Sequence, residues 1–125
     1  MRIARLLQVV AWAGVIFTLS SFSNPPGATG DEWRSNLAHM TEYAILAALA
    51  WRWLASARPS WRPIVLAGVT WLACVAYGAS DEYHQSFVPN RDSNVMDVGF
   101  DALGAGLALA AVTAKANVHN RRSRS

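Results

Sequence analysis

Ile64-Val65-Leu66-Ala67-Gly68-Val69-Thr70-Trp71-Leu72-Ala73-Cys74-Val75-Ala76-Tyr77-Gly78-Ala79-Ser80 carries no charge, and Asp81-Glu82 follows it directly. A helix needs about 17–25 mostly apolar residues to cross a bilayer core, and this run has that length. A soluble helix would carry a polar stripe; this one has none. Pro63 precedes the run and suits the first position of a helix, where its missing N–H costs nothing. Nothing breaks a helix before Pro89, so the helix is expected to run on through Tyr83 or Gln85. Pro89-Asn90 then turns the chain.

Three more apolar runs lie on either side. The first is Leu6 to Phe22, with Gln8 its strongly polar interior member. The second is about Leu37 to Leu54, interrupted near its start by His39 and Glu42. The fourth is about Val95 to Val112, with Asp97 and Asp101 near its start. The second and fourth are weaker spans, because a carboxylate at membrane depth must face protein or water. The chain is 53% hydrophobic and 15% charged, with the charges in clumps between the runs. A soluble bundle would have too few charges to cover its surface. The expected class is all-α: an integral membrane bundle of four transmembrane helices. Residues 1–114 form its membrane domain, and 115–125 a short basic tail without fixed structure.

The charges also give an orientation. Of 11 basic residues, Arg2, Arg5, Arg52, Arg58, Arg62, Lys115, Arg121, Arg122 and Arg124 fall on one side of a four-span chain. All 8 acidic residues fall on the other. Lys and Arg mark the cytoplasmic face, so both termini are expected there and the membrane is the cell's inner (plasma) membrane. Trp51, Trp53 and Trp61 bracket the short inner link, where an aromatic belt belongs. Residues 1–23 also resemble a cleaved signal peptide. The apolar stretch is long for one and the small residues Ser20, Ser21 and Ser23 make a poor cleavage site, so they are read as a span. The positive-inside pattern accounts for the basic charge, which leaves no case for nucleic acid binding. Cys74 stands alone and reads as a small buried hydrophobe.

The first outer link, Ser23 to Asn36, holds Pro25, Pro26, Gly27 and Gly30 and reads as a turn-rich loop, with Asp31-Glu32 starting a helical turn. Asn94 suits the cap of the fourth helix, and Asp97 stands three residues later in the capping-box position. Gly99, Gly104 and Gly106 on the fourth run, and Ala47, Ala48 and Ala50 on the second, are small enough to let helices approach closely.

His39, Glu42 and Tyr43 share one helix face at i, i+3 and i+4; Asp81 and Gln85 are four apart, as are Asp97 and Asp101. In a bundle these residues meet at the outer face, with Arg91 able to bridge carboxylates. His39, Glu42 and Glu82 are the candidates for acid–base chemistry. Tyr43, Asp81, Gln85, Arg91, Asp97 and Asp101 are the candidates for ligand binding. Capping and mutual pairing alone would account for Asp31, Glu32, Asp92 and Asp97, but less well for Glu42 and Asp101, which lie inside the apolar limits. His39, Glu42, Glu82, His84, Asp97 and Asp101 offer N and O donors that would suit a divalent cation. No HExxH or other compact ligand motif fixes one, so cofactor and metal stay undetermined. There is no phosphate-cradling glycine loop and no serine nucleophile elbow.

The segments His39-Met40-Thr41-Glu42-Tyr43-Ala44-Ile45-Leu46 and Ser80-Asp81-Glu82-Tyr83-His84-Gln85-Ser86-Phe87-Val88-Pro89-Asn90-Arg91, with Asp97 and Gly104, resemble the VanZ-like family over about residues 36–107. These are small bacterial membrane proteins, one of them linked to low-level teicoplanin resistance. The resemblance carries the family's motif onto His39, Glu42, Tyr43, Asp81, Glu82, Gln85, Phe87, Pro89, Arg91, Asp97 and Gly104. Asn90 replaces a common glycine, and Asp101 stands where asparagine is usual. The resemblance implies a cell-envelope setting. The expected function is to recognise or modify a lipid-linked or cell-wall-related ligand at an outward-facing polar site. The expected partners are the lipid bilayer and a cell-wall precursor, lipid headgroup or glycopeptide. The alternatives are a structural or assembly subunit without catalysis and a proton-coupled carrier.

Overall fold

The computed structural model describes residues 1–24 and 30–123. They form four α-helices: α1 Arg2–Ser20, α2 Glu32–Ala57, α3 Pro63–Gln85 and α4 Val95–Arg122. α2 is central: it packs on α1, α3 and most extensively on α4, while α4 also lies along α3.

The punctuation follows the sequence. Pro63 is the first residue of α3, and α3 ends at Gln85. Asn90 has φ 59°, the left-handed conformation that asparagine tolerates better than most residues. The Asn94 side-chain oxygen accepts from the Met96 amide at 3.0 Å, capping α4. The basic tail departs from expectation, because α4 continues as helix through Arg122. From Lys115 to Arg122 there is neither proline nor glycine, so nothing stops helix propagation. Pro25, Pro26 and Gly27 of the expected turn-rich loop, and Arg124 of the tail, lie outside the described residues.

The bundle is apolar outside and polar inside at one end. Ile3, Leu7, Val10 and Phe17 of α1, Ile64 and Leu72 of α3, and Leu103 and Leu107 of α4 all face outward. α1, α3 and α4 are long and apolar enough to cross a membrane. α2 is not among them, although the sequence reading made it a span. At 26 residues it is long enough, about 39 Å at 1.5 Å per residue. His39, Glu42 and Arg52 dilute its apolar run, and its most apolar face is covered by the other helices: Tyr43 and Ala47 are fully buried.

Away from that end the core is Leu46, Ala47, Cys74, Ala105 and Leu109, and Ile16 of α1 packs on the same cluster from nearer the polar end. The α2–α4 seam is closest at Gly104. A Cβ there would collide with the backbone carbonyl oxygen of Met40 and lie 2.6 Å from its Cα. Only glycine fits, which is the small-residue principle of membrane helix packing. Aromatic donors reach across to helix carbonyls as polar glue. Trp12 Nε1 donates to Glu42 O at 2.9 Å, Trp71 Nε1 to Ala102 O at 2.9 Å, and Tyr77 OH to Ala13 O at 2.6 Å.

Candidate functional site

The polar ends of the four helices enclose a cavity of about 450 Å³. His39 and Glu42 of α2, Asp81 and Gln85 of α3, Asp97 of α4 and Arg91 of the α3–α4 link all line it. Helical spacing does this: each pair sits one turn apart on the inward face of its helix. Three further candidates stand behind that wall. Glu82 and Asp101 are buried and bond to wall residues or their supports, while Tyr43 is fully buried against Tyr77, with ring centroids 6.2 Å apart.

Two hydrogen-bonded groups make up the site. In the first, His39 Nδ1 lies 2.9 Å from Asp101 Oδ1, and His39 Nε2 lies 3.7 Å from Asp97 Oδ2. Gly78 makes room for this pairing: a Cβ there would stand 2.8 Å from Asp101 Oδ2. In the second, Asp81 accepts from Ser20 Oγ at 2.6 Å and from Gln85 Nε2 at 3.0 Å. Gln85 Oε1 in turn accepts from Arg91 Nε at 2.9 Å, and Arg91 Nη1 reaches the Phe22 carbonyl at 3.4 Å. Arg91 was expected to pair directly with a carboxylate. Among the described residues it meets none; Gln85 stands between it and Asp81, as donor to one and acceptor from the other.

Glu82 has a role that helical spacing alone did not suggest. Its Oε2 accepts from the Asn94 amide at 2.9 Å and from Ser93 Oγ at 3.2 Å, so it ties the start of α4 to the end of α3. The Asn94 amide is therefore held by Glu82, where the capping-box spacing had suggested Asp97, and Asp97 turns to His39. Glu82 Oε1 is buried without a hydrogen-bond partner. His84 lies apart from the acidic cluster. It stacks on Phe17 with centroids 4.5 Å apart and lies 3.0 Å from Ser21 Oγ through Nε2, which pins α1 to α3.

Ser20 and Ser93 were missed as site residues. A serine near a helix end is common, and its partner is set by how two helices lie against each other. The clue available was Ser20's place on the same end of the bundle as Asp81.

A small all-α membrane bundle with a buried polar pocket at one end is the class that fold and site define. The family model described as VanZ/LLP1 matches residues 3–115. The chain belongs to the VanZ/LLP1 family. No curated protein and no solved structure matches it.

Proposed function

We propose that the protein crosses the plasma membrane four times, with both termini cytoplasmic, and that its polar pocket recognises or modifies an envelope ligand at the outer leaflet. The ligand class is a lipid-linked wall precursor, a lipid headgroup or a glycopeptide. The observation that carries this proposal is the cavity of about 450 Å³ at the acidic end of the helices, with imidazole, carboxylate, amide and guanidinium groups in its lining. Family membership supports a membrane setting, and the envelope is the part of it that this reading adds. α2 serves as the fourth span because it is long enough and turns His39 and Glu42 toward protein and cavity, where intramembrane polar residues belong. Residues 1–114 act as the membrane domain, and 115–125 extend into the cytoplasm.

Arg91 is suited to a phosphate or carboxylate on the ligand, since its fork meets either group bidentately. In an enzymatic version, Glu42, Glu82 or His39 is the acid or base, and Asp97 and Asp101 orient them or hold a divalent cation. In a binding version no group needs to titrate. The small-residue faces behind the assembly-subunit alternative are divided: Ala47 and Gly104 are buried within the bundle, while Gly99 is exposed and Ala48, Ala50 and Gly106 are half-buried.

Two experiments test the proposal. Single cysteines at Ser60 and Asn90, in a Cys74→Ala background, are exposed to a membrane-impermeant thiol reagent on whole cells. Labelling of Asn90 alone is expected, and labelling of Ser60 alone reverses the orientation. For the ligand, protein purified from native membranes is compared with Arg91→Lys by mass spectrometry of the bound lipids. The wild type should carry an anionic species that the variant has lost. An unchanged lipid profile alongside a stoichiometric protein partner would favour the assembly role. Glu42→Gln and Glu82→Gln then separate the two versions, since turnover collapses in an enzyme while a binding module keeps its affinity.

A further inference from the structure

We propose that His39, Glu82 and Asp97 bind one divalent cation, Zn²⁺ or Mn²⁺, with Asp101 as the residue that positions the histidine. The three side chains come from three different helices, and their ligand atoms all lie within 4.8 Å of one another. One imidazole nitrogen with carboxylate oxygens is a donor set for such borderline ions. Ligands bonded at about 2.0–2.2 Å stand roughly 3–4.4 Å apart across a shared ion, so the cluster is close to the separation an ion would impose. His39 Nε2 and Asp97 Oδ2, at 3.7 Å, are too far apart for a hydrogen bond and fall within that range.

Glu82 supplies an independent observation. Its residue is only 5% exposed, and one oxygen is held by the Asn94 amide and the Ser93 hydroxyl. The other oxygen is buried without a partner. A buried orphan oxygen is costly, and Glu82 is one of the three residues whose ligand atoms converge. An ion would satisfy it.

Asp101 completes the arrangement from behind. It is 1% exposed, and its Oδ1 lies 2.9 Å from His39 Nδ1. An ionised Asp101 only accepts, so in the neutral imidazole its contact favours the proton on Nδ1 and leaves the Nε2 lone pair for an ion. Metal-binding histidines are oriented in this way, by a carboxylate on the far nitrogen. Three carboxylates around a single imidazole also repel one another, and a dication offsets that repulsion. His39 and Asp97 line the cavity, so the ion's remaining positions open toward it. The site thus deepens the proposed ligand pocket, but metal binding is decided without any ligand.

The full chain, stripped with chelator and held in phosphatidylcholine nanodiscs, is titrated with Zn²⁺ by calorimetry. Mn²⁺ loading is followed by electron spin echo spectroscopy. One equivalent of ion per chain is expected, with nitrogen modulation from a directly bound imidazole. Glu82→Gln and Asp97→Asn each remove a direct ligand and should lower affinity by about 100-fold or more, at or beyond the upper end for loss of an orienting partner. Asp101→Asn should lower it by about 10–100-fold while nitrogen modulation persists, as for an orienting partner. Size exclusion and circular dichroism check that each variant is folded; if one is not, the wild-type titration and spectrum decide alone. Absence of stoichiometric binding of either ion, absence of nitrogen modulation, or unchanged affinity in folded Glu82→Gln and Asp97→Asn would overturn the site. Loss of the metal site with lipid co-purification intact leaves the ligand proposal standing, and the reverse result leaves the metal site.

Discussion

In one half of the bundle Leu46, Ala47, Cys74, Ala105 and Leu109 close the space between helices with apolar atoms. A turn or two along the same helices, His39, Asp81, Glu82, Gln85 and Asp101 are as deeply buried, yet hydrogen bonds hold them beside an open cavity: His39 with Asp101, Gln85 with Asp81, and Glu82 with Ser93 and Asn94. Ala105 and Asp101 are neighbours on one face of α4, one turn apart. The apolar half gets its closeness from small side chains and dispersion contacts. The polar half depends on its groups finding partners, since a buried polar atom without one, as Glu82 Oε1 is here, is expensive. One half can therefore sit tightly without specificity, while the other is specific and leaves room for a ligand.

The largest effect should come from the seam that joins the halves. Gly104→Ala places a methyl group on the Met40 backbone, which cannot swing aside, so a loss of about 3 kcal/mol or more is expected, at the upper end for overpacking. Gly99→Ala is the control, since nothing lies within 4 Å of a Cβ there, and stability should change by no more than about 0.5–1 kcal/mol. Thermal unfolding in a mild detergent measures both. A Gly104→Ala protein as stable as wild type would erase the special status of the seam.

A middle effect is expected within the polar half. Asp81→Ala removes the acceptor shared by Ser20 and Gln85, which should cost about 1–3 kcal/mol through the donors left behind. Ser20→Ala removes a single bond and should cost about 1 kcal/mol. The double variant should be less harmful than the sum, because the two changes share one interaction. Strict additivity would mean that the network is not coupled, and the contrast between the halves would then lose its energetic basis.

Much of the architecture was legible in the sequence. The charge-free run before Asp81, Pro63 at its start, the turn at Pro89-Asn90 and the cap at Asn94 are local signals, and local physics decides them. The gathering of His39, Glu42, Asp81, Gln85 and Asp97 was also legible, since helical spacing fixes which side chains share a face. The identity of the partners was not. Whether Glu82 or Asp97 holds the Asn94 amide, whether Gln85 separates Arg91 from Asp81, and whether Ser20 meets Asp81 depend on helix rotation and register, which one sequence does not encode locally. α2 shows the limit in hydropathy: of the three residues that dilute its apolar run, His39 and Glu42 line the pocket.

The pairing of His39 with Asp101 has a consequence for biogenesis. The two residues are 62 positions apart in the chain, about 3–12 s of synthesis at roughly 5–20 residues per second. Through that interval α2 lacks the Asp101 carboxylate that its imidazole pairs with, and an apolar surrounding is a poor solvent for Glu42 as well. The helix made second thus has reason to settle last, remaining near the headgroups or in the care of the insertion machinery until α4 emerges. No nascent chain shorter than about four helices contains the pocket at all.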